Sequence, residues 1–297
     1  MEKFKIISRS SNELIGYFWP SLNPKGNVVI AHGMVEHSLR YDDFNKYLNE
    51  NGYNVFMLDH IGHGQNKYLG KGVWPKDGFD ECVDNIDKVI KKASENKMPV
   101  ILMGHSMGSF MVQQYIQNYQ DENISKVVLI GSSGPQAVYG LGAMVANICG
   151  LFGKKEEPSK FLNDLAFSSY NNKTQKRTPF DWLSTDEKQV DKYIEDEDCG
   201  YVPSLQFFIC FMNSLKNLHT KKGFESIDKN KPILLIAGKE DPVSNYGESL
   251  ITLNKLYNDY GINNVLKLYD GMRHEILNEV DNEIVYKDIL NFINVPL

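Results

Sequence analysis

The chain has 297 residues, enough for one large domain or two small ones. A hydrophobic fraction of 42%, with 15 Phe and 16 Tyr, supplies a core and excludes general disorder. A net charge of −6 offers no basic field to phosphate backbones, so nucleic acid is not an expected partner.

Phe4 and Ile6 alternate with polar neighbours, and the alternation resumes over residues 14–19. The chain therefore opens with strands joined by a turn near 10–12. Val28 to Ala31 is a continuous apolar run, as in a strand buried on both faces. Phe44, Tyr47 and Leu48 then recur at helical spacing before Gly52, a helix stop. The pattern predicts a strand over 53–58, a helix over 80–97, a strand over 100–103, a helix over 106–119 and a strand over 127–130. It resumes with a strand over 233–237, a helix over 247–257, a strand over 265–269 and a helix over 284–293. Such alternation predicts a mostly parallel sheet with helices on both faces. Residues 135–215 break it: they hold helical stretches but no buried strand, and are too long for a loop. The predicted organisation is a core of 1–134 and 216–297 with a helical cap inserted at 135–215.

The N-terminus lacks the apolar run of a signal peptide, and no stretch reaches the ~18 apolar residues of a membrane span. Cys82, Cys149, Cys199 and Cys210 share no C-x-x-C spacing and fit free thiols in a reducing compartment. The expected location is the cytoplasm.

Gly104-His105-Ser106-Met107-Gly108 falls between a predicted strand and a predicted helix. A G-x-S-x-G there is a nucleophile elbow, which lifts the Ser hydroxyl out of the sheet. That hydroxyl needs a base, and the base an orienting acid, in the chain order Ser, acid, His. Asp241 follows the strand over 233–237 and His274 follows the strand over 265–269, both at strand ends where open parallel sheets place active sites. Glu240 is the rival acid. The oxyanion formed on attack needs donors, expected from the amides of Met107 and Met34, the latter in the loop after the strand at 28–31. His32, His37, His60 and His63 lack metal-ligand spacing and read as loop residues. No metal or organic cofactor is expected.

HGMVEHSLRY (32–41), DHIGHGQN (59–66), GHSMGS (104–109), GKEDPVS (238–244) and GMRHEILNE (271–279) together resemble the monoacylglycerol lipase and lysophospholipase group of α/β-hydrolases. The resemblance spans nearly all of the predicted core, and the segment 177–201 resembles the cap of bacterial members. Ser109 stands where a second Gly is common in that group, and Asn66 where a Ser is common. The resemblance implies an α/β-hydrolase fold and hydrolysis of a carboxylic ester with one fatty chain. It also implies that Glu36 and Arg40 shape the headgroup end of the site, unless they only pair with each other.

Two features bear on the substrate. Ala137 to Phe152 is apolar almost all round. It is either a helix buried between cap and core or an acyl-chain entrance touching lipid aggregates. Phe207, Phe208, Ile209, Phe211 and Met212 are either cap core or acyl-pocket lining. The rivals to a lipid esterase are a small-ester carboxylesterase, an amidase or peptidase on the same triad, and a binding module without activity.

Overall fold

The computed structural model describes residues 1–296. Six strands carry the parallel part of one eight-stranded sheet: β3 (Gly26–Ala31), β4 (Tyr53–Leu58), β5 (Val100–His105), β6 (Ile124–Ile130), β7 (Ile233–Gly238) and β8 (Asn264–Tyr269). The antiparallel β1 (Glu2–Ile7) and β2 (Glu13–Trp19) extend one edge, giving the order β1-β2-β4-β3-β5-β6-β7-β8. Every residue of β3, β4, β5 and β7 is buried, which is why these strands read as mostly apolar runs. At the far edge, β8 alternates half-buried and exposed positions and ends on buried Tyr269, because solvent reaches one face.

Successive side chains of a strand point to opposite faces, so each strand feeds two cores. Val29 and Leu102 join one cluster with α2 (Gly78–Ala93), α3 (Met107–Asn118) and α9 (Glu248–Asp259). Val28 and Ile30 join the other with α1 (Asp42–Glu50) and α10 (Asn282–Asn294). The chain runs from β3 outward to β4, then crosses back to place β5 on the other side of β3. The loops leaving β3 and β5 therefore face each other across a topological switch point, where such sheets bind ligands. The predicted helix over 80–97 is shorter than its pattern: α2 ends at Ala93, a 3₁₀ turn follows, and Lys97 at φ 60° turns the chain into β5.

Between β6 and β7 the chain adds five helices and no strand: α4 (Ala137–Phe152), α5 (Lys160–Phe167), α6 (Glu187–Glu195), α7 (Leu205–Leu218) and α8 (Lys221–Ser226). Of the two readings of the apolar segment 137–152, burial between cap and core holds for one face of α4 only. Its buried residues are Tyr139, Ala143 and Ala146, while Val138, Leu141, Met144, Ile148, Leu151 and Phe152 are exposed. The small residues explain the asymmetry. A Cβ on Gly142 would lie 2.1 Å from Met212, and one on Gly150 would lie 2.7 Å from Ile209, so α7 packs close along that stripe. The larger apolar side chains point away from it.

Candidate active site

Ser106 sits at φ 53°, ψ −121°, a conformation that non-glycine residues rarely adopt. The two glycines of the pentapeptide make it possible. A Cβ on Gly104 would lie 2.5 Å from the Gly108 carbonyl oxygen, and one on Gly108 would lie 2.2 Å from the Ala31 carbonyl oxygen. Strand, turn and helix thus meet at backbone contact, and Ser106 projects from the junction.

Three loops bring the sequence-predicted residues together. His274 Nε2 lies 2.8 Å from Ser106 Oγ, and His274 Nδ1 lies 3.0 Å from Asp241 Oδ1. Asp241 is fully buried, and its Oδ1 also accepts the Val243 amide at 2.8 Å. The rival acid Glu240 is exposed and makes no contact with His274. Gly33, Met34, Ser106, Met107 and His274 line one cavity of about 830 Å³. Among the described residues no hydrogen bond claims the amide of Met34 or Met107.

The loop after β3 is held from beneath by Glu36. Its Oε1 accepts the Gly33 amide at 2.6 Å and the Tyr41 hydroxyl at 2.7 Å, and lies 3.2 Å from His105 Nδ1. Its Oε2 accepts Arg40 at 2.7 Å. Arg40 in turn makes a two-pronged pair with Glu275, at 2.6 and 2.8 Å, directly after His274. Burial would raise the Glu36 carboxyl, but the His105 hydrogen bond and the Arg40 charge outweigh it and hold it well below its ordinary range. Burial would likewise lower His105, yet Glu36 raises it. Arg40 does not line the cavity, and its guanidinium pairs with two carboxylates. Glu36 does reach the wall, with both oxygens already engaged. Glu275 was not foreseen, although it adjoins His274 in the chain.

The same loop is gripped from above. Val35, at φ 49°, offers its carbonyl oxygen to the Gly200 amide at 3.0 Å and the Tyr193 hydroxyl at 3.2 Å. His37 Nε2 pairs with Asp196 at 2.8 Å. His37, Asp196 and Cys199 bring ligand-type atoms within 4.8 Å of one another, the one such trio among the described residues. The other loop histidines form a buried stack, with His32 and His60 rings 4.2 Å apart and His32 and His63 5.4 Å apart. His32 Nε2 accepts the His60 amide at 2.9 Å, which requires that nitrogen to be unprotonated. Burial drives His32 down to about 3 and His63 to about 4, and lowers His60 as well. The two departures from the resemblance also acquire roles. Ser109 Oγ donates to the Ser106 carbonyl at 2.6 Å, and Asn66 bonds both backbone groups of Ile15 in β2.

Two outcomes are expected. Arg40→Met leaves two buried carboxylates without their cation and should lower stability by about 3–5 kcal/mol, read by urea unfolding. His32, His60 and His63 bind fewer protons folded than unfolded. Their contribution is therefore complete above an unfolded pKa of about 6.5 and is lost as pH falls toward 4. The unfolding free energy should drop below about pH 6.5 by up to about 1.4 kcal/mol per pH unit for each such histidine, and His63→Gln should flatten the slope. A flat profile down to about pH 4.5 would contradict this.

The chain is 26% identical over 280 residues to a monoacylglycerol lipase of Mycolicibacterium smegmatis, covering 92% of this chain and 90% of that one. It is 25% identical over 275 residues to the phospholipase YtpA of Bacillus subtilis, covering 91% and 95%. A thermostable carboxyl esterase from Bacillus coagulans, solved with glycerol, superposes with a TM-score of 0.91 at 27% identity over 99% of this chain and 97% of that one. The fold is that of the α/β-hydrolases. The Hydrolase_4 family, described as serine aminopeptidase, S33, matches residues 22–281, and the chain belongs to this family of serine hydrolases.

Proposed function

We propose that this chain hydrolyses carboxylic esters bearing one fatty acyl chain, of monoacylglycerol or lysophospholipid type, with residues 135–215 acting as a cap. The carrying observation is the Ser106–His274–Asp241 hydrogen-bonded chain opening into a cavity whose walls include Phe110, Tyr139, Phe208, Phe211, Met212 and Leu215. Ser106 Oγ attacks the ester carbonyl as His274 Nε2 accepts its proton. Asp241 orients the ring and stabilises the imidazolium. The amides of Met34 and Met107 receive the oxyanion, on a loop and helix end already fixed in place, so little reorganisation accompanies the charge. His274 then protonates the leaving alcohol, and water activated by the same nitrogen releases the fatty acid.

The family's description names aminopeptidases, and a peptidase reading would need a free carboxylate to anchor a substrate amine. The carboxylates on the cavity wall are all paired among the described residues: Glu36 and Glu275 with Arg40, Asp164 with Lys160. This favours a neutral acyl substrate. The names of the relatives support the same substrate class.

The mouth of the cavity supports contact with lipid aggregates. Val138 of α4 and Leu165 of α5 line the cavity and are also more than half exposed. Leu141, Met144, Ile148, Leu151 and Phe152 of α4 and Phe161 of α5 are likewise more than half exposed, with Phe152 at 88%. An acyl chain leaving a lipid surface there would enter the cavity without crossing water. No helix among the described residues is long and apolar enough to cross a membrane.

The test is turnover of p-nitrophenyl esters of graded length below the micellar concentration, with Ser106→Ala as the inactive control. Each buried methylene contributes about 0.8 kcal/mol, so kcat/KM should rise at least ~10²-fold from acetyl to octanoyl. A preference for acetyl esters would leave a small-ester hydrolase. Replacing Leu151 and Phe152 by Glu should weaken flotation with phosphatidylcholine vesicles about tenfold or more, while monomeric-ester turnover stays within about twofold. Unchanged flotation would remove the lipid-contact reading.

A further inference from the structure

The segment 178–185 does more than roof the cavity. The Trp182 ring packs against the His274 imidazole with centroids 5.1 Å apart and planes 37° apart. Trp182 is itself held by Tyr170 at 5.0 Å and Phe167 at 6.0 Å, and its amide donates to Asn171 Oδ1 at 2.9 Å. Its backbone meets the His274 loop as well. The His274 amide donates to the Trp182 carbonyl at 3.4 Å, and the Glu275 amide to the Leu183 carbonyl at 2.7 Å. Arg273 Nη1 donates to the carbonyls of Asp181 at 2.7 Å and Ser184 at 2.9 Å. Ser184 Oγ donates to the Asn278 carbonyl at 2.9 Å, and the Thr185 amide donates to Glu279 at 3.0 Å. The loop that carries His274 is therefore bonded to the cap across most of its length.

We infer that Trp182 is a positioning residue for His274: its π-face holds the imidazole in line with Ser106 and stabilises the imidazolium that forms on proton transfer, while the carbonyls of 181–184 fix the loop beneath. A ring cation gains most from an aromatic face when water is excluded, and His274 is 2% exposed. The ring also contacts Ser106, Asp241 and the His105 ring at 4.9 Å, with Glu36, Arg40 and Glu275 behind His105. Those groups set charge and direction, whereas Trp182 supplies a surface that resists rotation of the ring. On this view the cap completes the catalytic base. The inference rests on reading His274 as that base.

The experiment uses Trp182→Leu, Trp182→Phe and Arg273→Gln in the full chain. Turnover of p-nitrophenyl acetate and octanoate is measured together with inactivation by diethyl 4-nitrophenyl phosphate. That small organophosphate needs the Ser106–His274 pair but not the acyl arm. Trp182→Leu should lower kcat on both esters by about tenfold, with KM within about twofold, and slow the inactivation by a similar factor. Trp182→Phe should recover to within about threefold of the parent protein, because it restores an aromatic face. Arg273→Gln cuts the bonds to the Asp181 and Ser184 carbonyls from outside the cavity wall and should reproduce the loss. A loss confined to octanoate with unchanged inactivation would make Trp182 a pocket wall only and overturn the inference. Should Trp182→Leu not fold, an unaltered inactivation rate in Arg273→Gln overturns it equally. A parent protein that the organophosphate does not inactivate would sink the esterase reading itself, and this inference with it.

Discussion

A carboxylate removed from water must find partners or lose its charge, and Glu36 finds them in two stretches of chain, its own segment at 33–41 and the end of β5. Its oxygens meet the Gly33 amide, the Tyr41 hydroxyl, His105 and Arg40, and Arg40 carries the network on to Glu275. Two buried acids thus face one guanidinium and one histidine that Glu36 favours in its charged form. An unmatched charge in such surroundings is costly, so the group assembles as a unit. The loop after β3, the end of β5 and the loop after β8 are thereby fixed to one another. Ser106 and His274 lie next to two members of the network, and their 2.8 Å contact follows from that registration. The strained turn at Ser106 persists for a related reason: helix and strand already touch at Gly104 and Gly108, and no relaxed backbone fits between them.

The central strands were legible because burial on both faces leaves them almost entirely apolar. Ser106, Asp241 and His274 were legible because each follows a parallel strand at its C-terminal end. Asp241 and Glu240 are neighbours of the same chemistry, and only the direction taken by the loop separates them: one is buried against His274, the other exposed. The helix α4 was recognisable as a helix but silent about its environment. A segment apolar on every side has no periodicity to mark its buried face, and the marker proved to be the small residues at 142, 143, 146 and 150. The partners of Arg40 were hidden in another way. An arginine near an active-site motif has the donors for a substrate, but its pairing with Glu275 spans 235 residues, and local spacing carries no trace of it. Trp182 was equally hidden, since the segment around it has no regular period and its contact is set by the tertiary course of the chain.

The bonds between residues 178–185 and the loop carrying His274 bear on how this architecture diversifies. Sheet and cap look separable along the chain, because the strand–helix alternation stops after β6 and returns at β7. Their hydrogen bonds do not respect that boundary. The carbonyls of Asp181, Trp182, Leu183 and Ser184 all accept from Arg273, His274 or Glu275. A chimaera spliced at the visible boundary would bring in a foreign strand of carbonyls facing a native Arg273, and a foreign side chain over the imidazole. Divergence in the cap is therefore constrained in a patchwork. The outer faces of α4 and α5 are exposed, whereas residues 181–184 are hydrogen-bonded to residues 273–275. Residues 181–185 thus behave as part of the sheet's own hydrogen-bonded frame.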